Sequence, residues 1–223
     1  MTRAHPATLD LLDRAGPTEP SIEPLAPGAA LLRGFASDQA VDLVAAIERI
    51  AAAAPFRHMI VPGGHTMSAA MTNCGPWGWV TDRSGYRYAS ADPQTGLPWP
   101  SLPALFRELA ARVAEVAGHP GFAPDCCLVN RYEPGARMGL HRDSDEKDIG
   151  APIVSVSLGL PATFLFGGAA RKDRPRKLRV ASGDVAVWGG PSRLFFHGVD
   201  AVPEGEHPLT GRARYNLTFR KAR

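Results

Sequence analysis

Two stretches of the chain repeat their apolar residues at helical spacing. In the first, GFASDQAVDLVAAIERIAAAAP (residues 34–55), three apolar residues share one helical face: Leu43, Ile47 and Ile50. Ser37 or Asp38 is placed to cap the start, because a short polar side chain there accepts from the first free amide groups. The pattern predicts an amphipathic helix with one buried face.

The second helical stretch is SLPALFRELAARVAEVAG (residues 101–118). Ser101 is placed to cap its start, and Gly118 to end it, because glycine readily adopts the left-handed conformation that closes many helices. Its apolar positions again share one face: Leu105, Leu109, Val113 and Val116.

After residue 118 the pattern changes to short runs bounded by Gly, Pro, Asp and Asn, which is typical of β-strands between turns. Six runs are of this kind: DCCLVNRYE, PIVSVSLGLP, TFLFGG, KLRVASGDVAVWGG, RLFFHGV and RARYNLTFR. Many short strands without intervening helices favour a sandwich or a jelly roll over alternating strand–helix units.

The remaining segments complete the predicted organisation. Residues 1–28, rich in Pro, Ala and Gly, are predicted to form a loosely ordered arm, and residues 29–223 a single domain. Residues 56–100 are dense in Gly, Pro, Trp and Tyr, and we predict short strands separated by turns there. The expected fold class is α+β, with two N-terminal helices supporting an all-β C-terminal half.

Composition narrows the class of protein only modestly. The chain has 223 residues, of which 44% are hydrophobic and 21% charged, as expected of a globular protein with a sizeable core. Its net charge of +3 permits a polyanionic partner without requiring one. Cys74, Cys126 and Cys127 lack zinc-site spacing, so we expect reduced, mostly buried thiols. Because no signal-peptide pattern and no apolar run of ~18 residues is present, we expect a cytoplasmic protein without a membrane partner.

The stretch GLHRDSDE contains the first candidate ligands. His141 and Asp143 are two residues apart, so on an extended segment their side chains point to one face. His197, in RLFFHGV, can supply a third ligand. Two histidines and one carboxylate form the facial triad of non-heme Fe(II) oxygenases, which leaves open positions for a cosubstrate and oxygen. The alternatives are a surface turn for the H-x-D pair and a hydrogen-bonded core histidine for His197.

The last predicted strand, RARYNLTFR, alternates two kinds of side chain. Its polar residues share one face: Arg214, Asn216, Thr218 and Arg220. One interpretation is an exterior polar face. The other is that the arginines bind the two ends of a dicarboxylate, because a guanidinium binds carboxylates bidentately. The two arginines are about 20 Å apart on an ideal strand, so they must act from opposite ends or be brought closer by twist. Asn130 and Tyr132, in LVNRY, also share a face and can donate hydrogen bonds.

Two further segments have residues suited to nucleic acid. The run WGWVTDRSGYRY (residues 77–88) could form a lid whose rings hold an unstacked base, or it could be ordinary core and loop. The run RKDRPRKLR (residues 171–179) has six basic residues against one acidic residue. Such a run is commonly a solvated hairpin, but beside a base-binding pocket it would bind phosphates, and Arg171 is the first choice for that contact.

Several motifs accompany the H-x-D…H set and the R-x-N-x-T-x-R strand, from about residue 20 onward. They include PGGHTMSAAMTNCG, DPQTGLPWP, NRYEPGA, HRDSDE, APIVSVSLGLPA, GDVAVWGG and SRLFFHG. Together they resemble the AlkB family of Fe(II)/2-oxoglutarate-dependent dealkylases. The resemblance implies a double-stranded β-helix (jelly roll) core with a nucleotide-recognition lid at about residues 56–100. It also implies Fe(II) as the metal, with 2-oxoglutarate and O2 as cosubstrates.

Carried over by position, the resemblance assigns roles to the candidate residues. It implies that iron is bound by the catalytic triad His141, Asp143 and His197. It implies that 2-oxoglutarate is bound by the following residues: Asn130, Tyr132, Arg214, Asn216 and Arg220. In this assignment Arg214 binds the distal carboxylate, and Arg220 lies nearer the end that chelates iron.

The same resemblance places the substrate base at five positions: Trp79, Tyr86, Tyr88, Asp145 and Arg171. Three residues depart from the family's bacterial pattern. His65 stands where tyrosine is familiar, Asp82 where a basic residue is familiar, and Arg142 fills the middle of the H-x-D motif. These departures bear on the range of substrates and on affinity for DNA, while the triad is unchanged.

The implied activity is oxidative demethylation of bases such as 1-methyladenine and 3-methylcytosine, with release of formaldehyde, succinate and CO2. The expected substrate is alkylated single-stranded DNA, with double-stranded DNA and RNA as further candidates, and the enzyme is expected to act as a monomer in DNA repair. Two alternatives stay open. One is a 2-oxoglutarate oxygenase acting on protein or a small molecule, and the other is a damaged-DNA binding module without catalysis.

Overall fold

A large antiparallel sheet organises the molecule, which is a computed structural model describing residues 20–223. The sheet has eight strands, and its fifth strand, β14 (Arg214–Arg220), is bonded on both sides. From one edge to the other the strands are β1 (Ser21–Ala26), β2 (Ala29–Arg33), β12 (Val185–Trp188), β9 (Ile153–Gly159), β14 (Arg214–Arg220), β7 (Cys126–Tyr132), β4 (Thr66–Cys74) and β3 (Arg57–Ile60).

Two smaller sheets complete the β structure. The four-stranded sheet is antiparallel and has the order β11 (Arg176–Val180), β10 (Ala162–Phe166), β13 (His197–Val199) and β8 (Met138–His141). A separate hairpin pairs β5 (Gly78–Asp82) with β6 (Gly85–Ala89). The six predicted β runs all contain strands, whereas β8 was not predicted.

The two helices, α1 (Ala40–Ala53) and α2 (Ala104–Val116), share a core with the large sheet. The predicted apolar face of α1 is buried there, together with sheet residues such as Val156 and Leu217. The three cysteines are buried and free, as expected. Burial raises the pKa of the Cys126 thiol to about 12, so this thiol is protonated at neutral pH. The helices therefore support one face of the sheet and leave its other face for the site.

The predicted helix caps are wrong. The residue before α1 is Gln39, and the residue before α2 is Pro103, and neither helix start has a side-chain cap. The chain enters α2 through a proline whose carbonyl oxygen accepts from the amides of Phe106 and Arg107. The first turn of α2 therefore begins after Ser101, so Ser101 is not its cap. Gly118 does follow α2 with a φ of +87°, which agrees with its predicted role.

The predicted apolar stripe of α2 is only partly correct. Leu109 and Val113 are buried, but Val116 is 43% exposed. The buried face is instead completed by Phe106, Ala110 and Ala114. Alanine contributes little to a hydrophobic sequence pattern, but its small side chain lets a helix approach a sheet closely. The buried face of α2 therefore includes its alanines, which the apolar pattern did not indicate.

A second core lies between the large sheet and the four-stranded sheet. Buried side chains of the large sheet, such as Leu128 and Trp188, pack in it with side chains of the smaller sheet, such as Phe164 and Phe166. The rings of Phe164 and Trp188 are 6.0 Å apart between centroids. The two sheets therefore face each other, and the cavity described below opens between them.

Two predicted boundaries need correction. Strand β1 lies within the predicted arm of residues 1–28, and its Pro24 is tolerated because β1 is an edge strand. Residues 1–19 lie outside the described residues. In the predicted lid of residues 56–100, β3 and β4 join the large sheet, and the β5–β6 hairpin stands apart from it. Within residues 20–223, no helix is long and apolar enough to span a membrane.

Candidate active site

The three predicted metal ligands come together at one end of the cavity. His141 ends β8 and His197 begins β13, and these two residues are direct partners in the sheet. Asp143 follows two residues after β8. One ligand atom from each residue lies within 4.8 Å of the others, so the group could hold a metal ion. The predicted convergence of a local H-x-D pair with a distant histidine is confirmed.

Hydrogen bonds fix which nitrogen each histidine presents. His141 Nδ1 is 2.9 Å from the carbonyl oxygen of Gly139, and His197 Nδ1 is 3.1 Å from that of Phe195. A carbonyl accepts only from a protonated nitrogen, so Nδ1 carries the proton and Nε2 keeps its lone pair. Burial, reinforced by the proximity of the His141 ring, lowers the pKa of His197 to about 3, which keeps the His197 ring neutral.

Asp143 is held as a carboxylate by an arginine. Its Oδ2 accepts from Arg220 Nε at 2.8 Å and lies 2.7 Å from Arg220 Nη2. Burial alone would raise the pKa of Asp143, but the Arg220 guanidinium and the two histidines lower it below its ordinary value. Burial also opposes the charge of Arg220, yet the facing Asp143 holds the pKa of Arg220 well above its ordinary value. The aspartate is therefore ionised and available as a ligand.

The polar face of β14 lines the cavity, so the alternative of an exterior polar face is wrong. The cavity has a volume of about 520 Å³. Four residues of β14 contribute to its wall: Arg214, Asn216, Thr218 and Arg220. Asn130 and Tyr132 of the neighbouring β7 line it as well. All eight of the predicted metal and 2-oxoglutarate residues thus border one space or its metal end.

Several buried polar atoms at this face, both donors and an acceptor, have no partner within residues 20–223. Arg214 is 2% exposed, and its Nη2 donates to Ser157 Oγ at 3.1 Å, while Nε and Nη1 are unpaired. Asn130 Oδ1 and Arg220 Nη1 are also unpaired there. Burial lowers the pKa of Arg214 below its ordinary value, and a buried guanidinium with two unpaired nitrogens is costly, so this group is suited to an anion.

Asn216 differs from the other predicted cosubstrate residues. Its Nδ2 donates to Ser155 Oγ at 2.8 Å and to the carbonyl oxygen of Val156 at 3.1 Å. Its Oδ1 accepts from Thr218 Oγ1 at 2.8 Å. The amide is therefore already satisfied within the sheet, and it orders two hydroxyl groups along the cavity wall.

The β5–β6 hairpin places two aromatic rings at the cavity. Trp79 and Tyr86 line it and are stacked, with ring centroids 5.8 Å apart and planes 23° apart. Trp79 Nε1 donates to Asp145 Oδ2 at 2.9 Å. Tyr86 is 51% exposed. Three of the five predicted base-binding residues, the two rings and Asp145, are thus grouped on one side of the cavity.

Tyr88 is not placed among the residues that line the cavity. It is 6% exposed, and its hydroxyl donates to Glu146 Oε1 at 2.6 Å. Burial raises the pKa of Tyr88 above its ordinary value, so it remains a donor. Tyr86 and Tyr88 share a face of β6, but Tyr88 is nearer the base of the hairpin and packs against the loop that follows the ligands.

Sequence reasoning missed the buried ion pair that Tyr88 joins. Glu146 Oε2 lies 3.1 Å from Arg193 Nη2, and both side chains are at most 3% exposed. Arg193 also donates to the carbonyl oxygens of Asp143 and Ala151. The pair therefore fixes the backbone beside the metal ligand. Its only sequence signal was an acidic run, which ordinarily indicates a solvated surface.

The residues of the basic run lie in two different settings. Arg176 pairs with Glu23, and Lys177 with Asp200, as in an ordinary surface hairpin. Arg171, by contrast, lines the cavity, and its guanidinium carbon is 5.2 Å from the ring centroid of Phe196.

The three residues that depart from the family pattern lie in different places. His65 is exposed, and its carbonyl oxygen accepts from the Val61 amide in the turn before β4. Asp82 pairs with Arg87 at 2.7 Å across the β5–β6 hairpin, and this hydrogen bond holds the pKa of Asp82 well below its ordinary value. Arg142 lines the cavity.

The comparisons with known proteins agree with this geometry. The family model described as 2OG-Fe(II) oxygenase superfamily matches residues 28–220. The chain is 56% identical over 212 residues to the alpha-ketoglutarate-dependent dioxygenase AlkB of Escherichia coli (strain K12), covering 95% of this chain and 98% of that protein. It is 33% identical to the DNA N(6)-methyladenine demethylase ALKBH1C of Arabidopsis thaliana, covering 60% and 35%. The solved structure of OsALKBH1 matches with a TM-score of 0.81 and 31% identity, covering 90% of this chain and 100% of that chain.

The fold and the ligand cluster define an Fe(II)- and 2-oxoglutarate-dependent dioxygenase. Within that class, the chain belongs to the AlkB family. Its metal is Fe(II), and its cosubstrates are 2-oxoglutarate and O2.

Proposed function

We propose that the protein demethylates N-alkylated bases in nucleic acid, with 1-methyladenine and 3-methylcytosine in DNA as its main substrates. One observation carries the proposal: a single cavity joins the His-Asp-His cluster to a stacked pair of aromatic rings beside a carboxylate. Such rings hold bases that have left their stack. The demethylase activity named for the Arabidopsis thaliana relative supports the same class of substrate.

The residues present fit the expected metal and cosubstrate. Two imidazoles with free Nε2 atoms and one ionised carboxylate are the donor set that suits Fe(II) in a facial triad. The unpaired Nε and Nη1 of Arg214 suit the distal carboxylate of 2-oxoglutarate. Asn130 and Tyr132 lie on the adjacent strand, and Arg220 lies at the metal end. Arg214 and Arg220, at opposite ends of β14, would thus bind opposite ends of the cosubstrate.

Two finer structural interpretations accompany this proposal. We infer that the two facing antiparallel sheets form a double-stranded β-helix, or jelly roll, because they enclose a polar cavity between them. We also infer that, within the predicted nucleotide-recognition lid, the β5–β6 hairpin is the part that contacts the substrate base. Single-strand preference, action as a monomer and a cytoplasmic location stay predictions.

The side chains of this protein bind and orient the substrate. Trp79 and Tyr86 hold the base, and the Asp145 carboxylate attracts a cationic lesion while it fixes the indole through its hydrogen bond. Bound Fe(II) with 2-oxoglutarate and O2 supplies oxidation of the N-methyl group, with succinate and CO2 as coproducts. The hydroxymethyl group of the base then leaves as formaldehyde.

The proposal is tested by anaerobic reconstitution with Fe(II), followed by mass spectrometry of methylated oligonucleotides exposed to oxygen and 2-oxoglutarate. We expect the methylated bases to lose their methyl group with release of formaldehyde. A methylated peptide serves as the competing substrate. Turnover of the peptide alone would favour the protein-oxygenase alternative, and binding without succinate release would favour a non-catalytic module.

Replacing Arg214 with lysine should raise the KM for 2-oxoglutarate by roughly ten- to a hundredfold, the range for a lost hydrogen bond to a charged group. Lysine keeps a cation but loses the planar fork. Initial rates of succinate formation against 2-oxoglutarate concentration give the result. Arg131→Lys is the matched control, because Arg131 lies in β7 with its guanidinium over Phe56, outside the cavity. An unchanged KM in Arg214→Lys would remove the assignment.

Replacing Asp145 with alanine should slow turnover of the cationic lesions more than that of neutral 1-methylguanine. Two unit charges about 4 Å apart in water interact by about 1 kcal/mol, so we expect a difference of roughly fivefold. The measurement is kcat/KM on matched oligonucleotides, and Asp148→Ala in the same loop is the control. Equal slowing of both lesions would show that the carboxylate only orders the loop and the indole.

A further inference from the structure

Two arginines converge on one aromatic ring at the cavity. Arg142 follows the ligand His141, and Arg171 begins the basic run, so they are distant in sequence. Both line the cavity. Their guanidinium carbons lie 5.7 Å and 5.2 Å from the ring centroid of Phe196. Both cations therefore lie beside the same ring.

Neither arginine is neutralised by the protein. Within residues 20–223, the side chains of Arg142 and Arg171 have no hydrogen bond or ion pair, and each has a cation–π interaction with the Phe196 ring. Arg176 of the same basic run, in contrast, is paired with Glu23 at 3.0 Å. Both side chains are solvent-exposed, so their donors remain accessible to a ligand.

Asp145 forms no ion pair with either arginine within residues 20–223. Its Oδ2 is already bonded to Trp79 Nε1, which ties the carboxylate to the aromatic side of the cavity. The cavity wall therefore includes a group suited to a base, formed by Trp79, Tyr86 and Asp145, and two guanidiniums without a hydrogen-bond partner within residues 20–223. An anion bound at this part of the cavity would be attracted by both guanidiniums.

We propose that Arg142 and Arg171 form a two-arginine site for a phosphodiester of the substrate strand, adjacent to the nucleotide whose base enters the cavity. Guanidinium groups bind phosphate oxygens through charge-assisted, often bidentate hydrogen bonds. This inference rests on the proposed function and deepens it. It makes Arg142 a substrate-positioning residue, and it makes the substrate a nucleotide within a strand, because a free base or nucleoside carries no phosphate.

The test measures how binding of a short strand depends on salt. A fluorescent pentanucleotide with a central 1-methyladenine is titrated with the reconstituted protein under nitrogen at several salt concentrations. Each phosphate contact on a single strand contributes about 0.7 to the slope of log K against log salt. Arg142→Gln and Arg171→Gln should each make the slope shallower by about that amount. Arg174→Gln is the matched control, since Arg174 is exposed in the same basic run but does not line the cavity.

A second measurement separates phosphate recognition from base recognition. The loss of kcat/KM in Arg142→Gln should be roughly ten- to a hundredfold larger for the pentanucleotide than for free 1-methyladenosine, the range for a lost hydrogen bond to a charged group. The Co(II) content of the variant, measured separately, shows that the adjacent ligands still bind metal. An unchanged salt slope in Arg142→Gln, or equal losses on both substrates, would overturn the site. If the unaltered protein instead demethylates no oligonucleotide, it is the proposed function that fails.

Discussion

Replacing His197 with alanine should abolish turnover and metal binding while the fold is retained. His197 is 5% exposed, and its Nε2 lies 3.8 Å from Asp143 Oδ2 in the ligand cluster. Loss of a hydrogen bond behind a metal ligand already costs roughly 10–100-fold in metal affinity or activity, so loss of the ligand itself must cost more. Succinate formation and metal content per chain give the two readouts.

Two further variants test whether the loss of metal is specific to the predicted ligands. His141→Ala removes the other imidazole from a half-buried position, where the side chain is 38% exposed, so less packing is lost with it. His58→Ala is the control, because His58 is an exposed histidine on β3 that does not line the cavity. We expect both ligand variants to lose metal and His58→Ala to retain it. Normal succinate formation by a folded His197→Ala protein would exclude the triad.

The sequence predicted those parts of the site that follow from strand alternation. Side chains of a strand alternate between its faces, so the polar residues of β14 had to lie together on one side of the sheet. Arg214 and Arg220 did not need to converge, because both border one cavity from opposite ends of the strand. The H-x-D pair needed only one distant histidine to complete it. The assignment of each residue to iron or 2-oxoglutarate came from the family resemblance.

The alternation of side chains along a strand could not predict which residues of one face are buried and which are exposed. Tyr86 and Tyr88 share a face of β6, yet one is 51% exposed at the cavity and the other 6% exposed behind it. Nor does a local pattern show that Glu146 and Arg193, which are 47 residues apart, are buried together. Charged residues in a polar run ordinarily remain solvated. Only the packing of the hairpin and the ligand loop turns these two into an internal pair.

Replacing Glu146 with alanine should lower the free energy of unfolding by about 3–5 kcal/mol, the range for breaking a buried ion pair by removing one partner. Arg193 would be left as a buried charge whose remaining partners are the carbonyl oxygens of Asp143 and Ala151. The Tyr88 hydroxyl would lose its acceptor as well. Urea denaturation followed by circular dichroism gives the change.

The control for this prediction is a pair of the same chemistry at the surface. Glu204 and Arg212 are 2.6 Å apart, but their side chains are 76% and 64% exposed. Solvent screens such a pair, so Glu204→Ala should change stability far less than Glu146→Ala. Equal effects of the two variants would show that the buried pair does not hold the ligand loop. Tyr88→Phe then separates the contribution of the tyrosine hydroxyl from that of the ion pair, because it removes the hydroxyl and leaves the pair of Glu146 with Arg193 in place.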